Sequence, residues 1–291
     1  MTTKTIAAPV ADPHPPTRLQ LPAGATDAHC HVFGPGDVFP YAPERAYTPP
    51  DAPYERLVGL HDRMGLTNGV IVQASCHGTD NAALLDALRR GEGRYAGVAM
   101  VSPEVTRAEL EELHEAGVRS TRFNFVAHLG GRPDLDAFRT VVEKVVPLGW
   151  HLVLHFDAKD IADNLDLLRG LPCPWIIDHM GRVDTAAGVD QPAFAALLEL
   201  MADERSWVKI SGAERLTVDG TPPYDDVVPF ARALVEAAPD RVLWGTDWPH
   251  PNVRSMPDDG DLVDLLADLL PGEADRQRVL VDNPRTLYPL R

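Results

Sequence analysis

Short apolar runs alternate with amphipathic stretches along most of the chain. Apolar runs of this kind are typical of strands buried on both faces, whereas apolar residues three or four positions apart indicate helices. Eight such alternations can be counted. The predicted strands are Thr26 to Phe33, Gly69 to Ser75, Tyr95 to Val101, Ser120 to Phe125, His151 to Phe156, Trp175 to Met180, Trp207 to Ala213 and Val242 to Trp248.

The number of alternations decides the fold class. Eight strand–helix units in 291 residues favour an α/β fold of the (β/α)8 TIM-barrel type over an open parallel sheet, which usually holds fewer strands at this length. The longest irregular segment, residues 34–53, predicts a long loop between the first strand and the first helix. Beyond Asp261 the pattern predicts two more helical stretches, the second an extra C-terminal helix packed on the outside.

The domain organisation follows from the absence of an internal linker. We expect residues 23–291 to form a single barrel domain. Residues 1–22, which end in a proline-rich stretch, are expected to form a loosely held N-terminal arm.

Charge and cysteine content limit the kinds of binding partner and the cellular location that we expect. The chain has 43 acidic and 27 basic residues, a formal charge of −16, so nucleic acid and membrane surfaces are not expected partners. An anionic ligand would need a local basic pocket. The three cysteines form no CxxC pair, and neither a signal peptide nor a membrane-spanning run is evident, so we expect a cytoplasmic protein.

Imidazole and carboxylate side chains follow several of the predicted strands at their C-terminal ends, which meet at one mouth of a barrel. His29 and His31 are two residues apart on the first strand, so both should point into the barrel, with Cys30 pointing outward. Such side chains are the usual zinc ligands. A lone strand histidine is more often a core residue, but five groups at strand ends predict a site. The expected metal-ligand set is His29, His31, His155, His179 and Asp247.

Three arginines form a second, basic group at the same predicted mouth: Arg122, Arg182 and Arg215. Guanidinium groups bind carboxylates or sulfonates with paired hydrogen bonds. The alternative is that each pairs with a nearby acid, Arg182 with Asp184 or Arg215 with Glu214. Weaker candidates for ligand contacts are Tyr47, Ser75, Asn124 and His128.

Five strings, TDAHCHVFGPG, VIVQASCHGTDN, RFNF, IIDHMGR and VLWGTDWPHPN, carry a resemblance that runs from Ala25 to Tyr288. The chain resembles the amidohydrolase superfamily, and within it the amidohydrolase-2 branch of 2-pyrone-4,6-dicarboxylate lactonases. The resemblance implies a barrel enzyme that hydrolyses the ester bond of a cyclic, carboxylated lactone during breakdown of aromatic compounds.

The resemblance also implies roles for individual residues. Asp247 would be the general base that activates water, and His29, His31 and His179 would polarise the lactone carbonyl. Carboxylate binding would fall to the arginines of the basic group, with assistance from two further side chains: Arg122, Arg182, Arg215, Tyr47 and Ser75.

Two departures from that branch change the expectation. Its lactonases are metal-independent and carry tyrosine where this chain has His155, which restores the ligand pattern of metal-dependent relatives. We therefore predict a divalent ion, with zinc preferred. A basic pair after RFNF is replaced here by Val126, Ala127 and His128, which predicts a related substrate such as a carboxylated or sulfonated muconolactone.

Two rival functions remain at this point. One is a metal-dependent decarboxylase of the same superfamily, which would release carbon dioxide from an open-chain acid. The other is a barrel that binds an anionic metabolite without turning it over.

Overall fold

Eight parallel strands form one sheet in which each strand pairs with the next along the chain. The computed structural model describes residues 4–290, apart from the side chain of His128. The strands are β1 Thr26–Cys30, β2 Asn68–Val72, β3 Tyr95–Ala99, β4 Val118–Asn124, β5 His151–His155, β6 Trp175–Ile177, β7 Ser206–Lys209 and β8 Val242–Leu243. All eight predicted strands are confirmed, although each ends earlier than predicted.

Backbone hydrogen bonds between β1 and the segment after β8 bring the two edges of the sheet together. The Ala28 N–H donates to the Trp244 carbonyl at 2.8 Å, and the Asp247 N–H donates to the His29 carbonyl at 2.7 Å. A Cβ on Gly245 would lie 2.4 Å from the His29 nitrogen, so the closure requires glycine there. The predicted TIM barrel is confirmed.

Helices follow the strands on the outside of the barrel. The α-helices are Tyr54–Met64, Ala82–Gly91, Arg107–Glu115, Leu135–Val145, Leu165–Arg169, Pro192–Leu200, Ala213–Leu216, Val228–Ala237, Asp259–Asp264, Leu266–Leu269, Glu273–Gln277 and Asn283–Leu287. A π-helical turn, Arg278–Asp282, joins the last two. The long loop after β1 and the extra C-terminal helical segment are both confirmed. Within residues 4–290 no helix has the length and apolar character needed to cross a membrane.

The apolar core has two layers. The larger layer lies between the strands and the helices and includes Cys30, as predicted from its outward direction. The smaller layer fills the barrel itself and is closed by Tyr288 of the C-terminal segment. Side-chain burial on both sides of the sheet explains the apolar runs in strands such as β2, β3 and β6.

The N-terminal arm is held against the barrel by hydrogen bonds. The backbone N–H groups of Thr17 and Arg18 each donate to the Asp264 carboxylate at 2.8 Å. Nearer its start, the strand Lys4–Thr5 pairs with the strand Tyr47–Thr48 of the long loop. The arm is therefore more firmly attached than its proline content suggests.

Candidate active site

A narrow cavity opens at the C-terminal ends of the strands. Most of the residues singled out in the sequence line it. These are His31, Tyr47, Ser75, Arg122, His155, His179, Arg215 and Asp247. The cavity thus gathers imidazole, carboxylate and guanidinium groups at the predicted mouth.

Asp247 is the point on which the histidines converge. Its Oδ1 atom lies 3.1 Å from Nε2 of His31, 3.5 Å from Nε2 of His29 and 3.9 Å from Nε2 of His179. The carboxylate is 2% exposed, so these contacts are made almost without water. His29 is fully buried behind Asp247 and does not itself line the cavity.

Arg215 holds the other oxygen of Asp247. Its Nε lies 2.5 Å from Oδ2, and its Nη2 contacts the same oxygen. Although burial raises the pKa of Asp247, Arg215 and the neighbouring imidazoles hold it well below its usual range. Arg215 also lies 3.2 Å from Glu214, as the alternative pairing anticipated. Asp247 is therefore ionised at neutral pH.

The direction of the two strand histidines depends on an irregularity in β1. Asp27 lies opposite Gly69 of β2, while Cys30 lies opposite Ile71, so three steps along β1 match two along β2. This bulge re-aims the side chains that follow it. As a result both His29 and His31 face Asp247, as predicted.

Burial keeps most of the imidazoles neutral. It lowers the pKa of His29 to about 3, with Lys209 adding to the effect, and lowers the pKa of His155 and His179 well below the ordinary value. The Nδ1 atom of His31 lies 2.7 Å from the Val72 carbonyl, and Nδ1 of His179 lies 2.8 Å from the Ser211 hydroxyl. These partners orient the rings so that Nε2 faces the cavity side.

A buried network of charges lies beneath the cavity. Asp178, which follows β6, forms ion pairs with Lys209 at 3.1 Å and with Nε of Arg122 at 3.2 Å. Lys209 and Asp178 are both 0% exposed. Burial raises the pKa of Asp178, but the two cations and His29 outweigh it and leave the pKa well below its usual range. Lys209 was not predicted from the sequence, although a lysine inside the apolar run WVKI was the available signal.

The remaining predicted ligand residues occupy different positions. Nη2 of Arg122 and Oδ1 of Asn124 lie 3.2 and 3.3 Å from Nδ1 of His155. Arg182 pairs with Asp157 at 2.8 Å, in place of the anticipated Asp184, and stays partly exposed. His128 falls in the turn Ala127–Leu129, but its side chain lies outside the described part of the structure.

Several side chains here stand on strained backbone. Asp247, His179 and Arg182 all have positive φ angles, of 62°, 51° and 51°. Non-glycine residues in this region cost of the order of 1–3 kcal/mol each and tend to occur at functional sites. The backbone strain supports the interpretation of this mouth as a functional site.

The donor set at this mouth fits a metal ion. Three side chains offer ligand atoms that lie within 4.8 Å of one another: His29, His179 and Asp247. Nε2 of His29 is buried with no hydrogen-bond partner among the described residues. Two imidazoles and a carboxylate suit zinc. By type and spacing, three of the five predicted ligands fit a divalent ion.

Residues 26–290 match the family described as Amidohydrolase. The chain is 48% identical to a 2-pyrone-4,6-dicarboxylate hydrolase of Comamonas testosteroni, covering 96% of this chain and 94% of that protein. It is 45% identical to a 4-sulfomuconolactone hydrolase of Hydrogenophaga intermedia, covering 94% and 91%.

A solved structure gives the same result. The protein from Acinetobacter baumannii, named a probable 2-pyrone-4,6-dicarboxylic acid hydrolase with citric acid bound, has a TM-score of 0.81 and 28% identity, covering 91% of this chain and 98% of that one. Fold, motifs and the extent of the match agree. The chain belongs to the amidohydrolase family.

Proposed function

We propose that this protein hydrolyses the ester bond of an anionic lactone, carboxylated or sulfonated, in the breakdown of aromatic compounds. The observation that carries the proposal is the placement of ionised Asp247 in one cavity with His31, His179 and Arg215. The relatives named as hydrolases of 2-pyrone-4,6-dicarboxylate and 4-sulfomuconolactone support this substrate class.

In the proposed reaction a water molecule attacks the lactone carbonyl carbon. Asp247 takes a proton from that water as the new C–O bond forms. His31 and His179, which line the cavity, polarise the carbonyl oxygen, while His29 supports Asp247 from behind. The ring C–O bond then breaks, and the proton passes to the departing oxygen, giving an open-chain acid.

Guanidinium groups would hold the acidic substituents of the substrate. Arg122 and Arg215 line the cavity, and Arg182 lies nearby with its side chain partly exposed. Each can bind a carboxylate or sulfonate with paired hydrogen bonds. Tyr47 and Ser75 add hydroxyl groups to the wall. Asn124 and His128 complete the proposed substrate contacts.

The turn after β4 supports a choice within the substrate class. Val126, Ala127 and His128 stand where lactonases of the resembled branch carry a basic pair. A substrate with fewer or differently placed acids fits this pocket better than a multiply carboxylated pyrone. We therefore expect 4-sulfomuconolactone or a carboxylated analogue to be preferred over 2-pyrone-4,6-dicarboxylate.

A divalent ion, zinc by the chemistry of its donors, is a further part of the proposal. His29, His179 and Asp247 would hold it, with His31 and His155 as the remaining candidate ligands. When bound, such an ion supplies Lewis-acid polarisation of the carbonyl.

A panel of lactones tests the proposed function. The purified protein is assayed for acid release on 2-pyrone-4,6-dicarboxylate, 4-sulfomuconolactone and an uncharged lactone, with carbon dioxide measured in parallel on open-chain acids. Acid release from the anionic lactones supports the proposal. Carbon dioxide release identifies the rival decarboxylase, and tight binding without turnover across the panel identifies the rival binding protein.

A further inference from the structure

Lys209 is a buried cation whose ammonium group contacts a ring nitrogen of His29. We propose that Lys209 is a positioning residue that fixes the His29 proton on Nε2, so that the ring directs an N–H group toward Asp247 and binds a metal ion less tightly than a bare nitrogen would. The effect on turnover rests on the proposed lactone hydrolysis, whereas the place of the proton does not.

The contacts of the ammonium group determine where the proton can be. Nζ of Lys209 lies 3.0 Å from Nδ1 of His29 and 3.1 Å from Oδ1 of Asp178. An ammonium group has donors only, so the nitrogen facing it must accept. A neutral imidazole carries one proton on one of its two nitrogens. With Nδ1 accepting from Lys209, that proton is on Nε2.

Asp178 is the competing partner of the same ring nitrogen. Its Oδ1 lies 3.3 Å from Nδ1 of His29, farther than the Lys209 ammonium. The carboxylate already faces Lys209 through Oδ1 and Arg122 through Oδ2, at 3.1 and 3.2 Å. Neither Asp178 oxygen has a hydrogen-bond partner among the described residues, so its contact with Nδ1 of His29 lacks the hydrogen-bond geometry that the Lys209 contact has. The structure therefore favours Lys209 over Asp178 as the group that orients His29.

The other side of the ring faces the proposed general base. Nε2 of His29 lies 3.5 Å from Oδ1 of Asp247, beyond hydrogen-bond geometry, and has no hydrogen-bond partner among the described residues. A proton there points at a carboxylate, whereas a bare nitrogen would set a lone pair against it. Lys209 thus contacts His29, and His29 contacts Asp247. These two contacts strengthen each other and connect the buried charges to the proposed base.

His29 differs in this respect from the other strand histidine. Nδ1 of His31 faces an acceptor and donates to the Val72 carbonyl at 2.7 Å, whereas Nδ1 of His29 faces a donor. At His29 a metal ion would first have to displace the Nε2 proton. Lys209 therefore opposes metal binding at one of the three clustered donors.

The location of the proton is tested by ¹⁵N NMR of the histidine rings in the full chain, with His29 assigned from the spectrum of His29→Asn. We expect Nε2 protonated and Nδ1 bare in the wild type, in Lys209→Arg and in Asp178→Asn, and the reverse in Lys209→Met. A wild-type spectrum with Nδ1 protonated overturns the proposal. So does reversal in Asp178→Asn with no change in Lys209→Met.

Zinc titration of chelator-treated protein gives a second readout that needs no substrate. Lys209→Met should bind zinc at least about tenfold more tightly than the wild type, the scale of effects from groups behind metal ligands. In Lys144→Met, which removes a half-buried lysine that donates to the Pro103 and Val105 carbonyls, zinc affinity should not change. Equal affinity in the Lys209→Met and wild-type proteins contradicts the proposal.

Kinetics on the lactone separate positioning from a loss of folding. Loss of one hydrogen bond to a charged group costs about 1.5–3 kcal/mol, so kcat of Lys209→Met should fall about 10- to 100-fold with little change in KM. Lys209→Arg should recover much of that loss. If no variant and no wild type opens any lactone, the proposed function fails while the NMR and zinc results still decide the role of Lys209.

Discussion

The Asp27 carboxylate accepts hydrogen bonds from both the backbone N–H and the hydroxyl of Thr246, at 3.0 and 2.6 Å. The same carboxylate accepts from the His29 N–H at 2.9 Å. One buried side chain on the first strand thereby joins the segment that carries His29 to the turn that carries Asp247. The spacing between proposed base and histidines depends on this connection.

Asp27→Ala should lower both stability and turnover. The change leaves four buried donors without their acceptor, including the His61 ring N–H at 3.2 Å, and each such group costs about 1–3 kcal/mol. We expect the free energy of unfolding to fall by about 3 kcal/mol or more, measured by urea denaturation, and kcat to fall with it. Asp62→Ala, which removes an exposed partner of Arg94, is the control and should change stability by less than about 0.5 kcal/mol. A similarly small effect of Asp27→Ala would show that the connection is unimportant.

Asp247→Asn should abolish turnover and preserve substrate binding. The amide is nearly the same size as the carboxylate but cannot take the proton of the attacking water. Loss of a general base typically lowers the rate about 10²- to 10⁴-fold. Steady-state kinetics give the rate and calorimetry gives the binding constant. Retention of more than a tenth of the wild-type kcat would rule out this role.

Arg122→Met should weaken binding of anionic lactones more than it slows their reaction. A charged hydrogen bond contributes about 1.5–3 kcal/mol, so KM should rise about tenfold or more. The exposed Arg107, paired with Glu111, provides the matched control Arg107→Met, for which no change is expected. KM for an uncharged lactone should be the same in both variants. An equal loss on charged and uncharged lactones would argue against anion binding by Arg122.

His151, inside the barrel and outside the cavity, should make the fold sensitive to acid. Burial lowers the pKa of His151 to about 3 from 6.5. Below pH 6.5 the unfolded chain therefore binds a proton on this ring that the folded chain does not bind. Stability from this residue is therefore complete above pH 6.5 and is lost as the pH falls toward 3, by about 1.4 kcal/mol per pH unit. In His151→Asn the dependence of unfolding free energy on pH between these values should be shallower by about that amount. Identical slopes for the two proteins would disprove the assignment.

The fold could be predicted from the sequence because its signals are local and repeated. Most barrel strands contain an apolar run such as the one that ends at His155, and the ends of parallel strands must meet at one mouth. The gathering of His31, Arg122 and Asp247 follows from that rule alone. The predicted ends of the strands were less accurate, because apolar residues continue into the loops that line the mouth.

Pairings within the site could not be predicted, because they depend on directions that a sequence does not contain. Arg182 meets Asp157, 25 positions earlier, and not the adjacent Asp184. Lys209 reaches His29 across the barrel, 180 residues away. The bulge in β1 and the positive φ of Asp247 set such directions, and neither has a compositional signature.

The pairing of residues 4–5 with the loop strand at Tyr47 has a practical consequence for handling the protein. An affinity tag fused ahead of residue 4 would be attached a few ångströms from a strand whose tyrosine forms part of the cavity wall. Kinetic constants for comparing substrates are therefore best measured after the tag has been cleaved away.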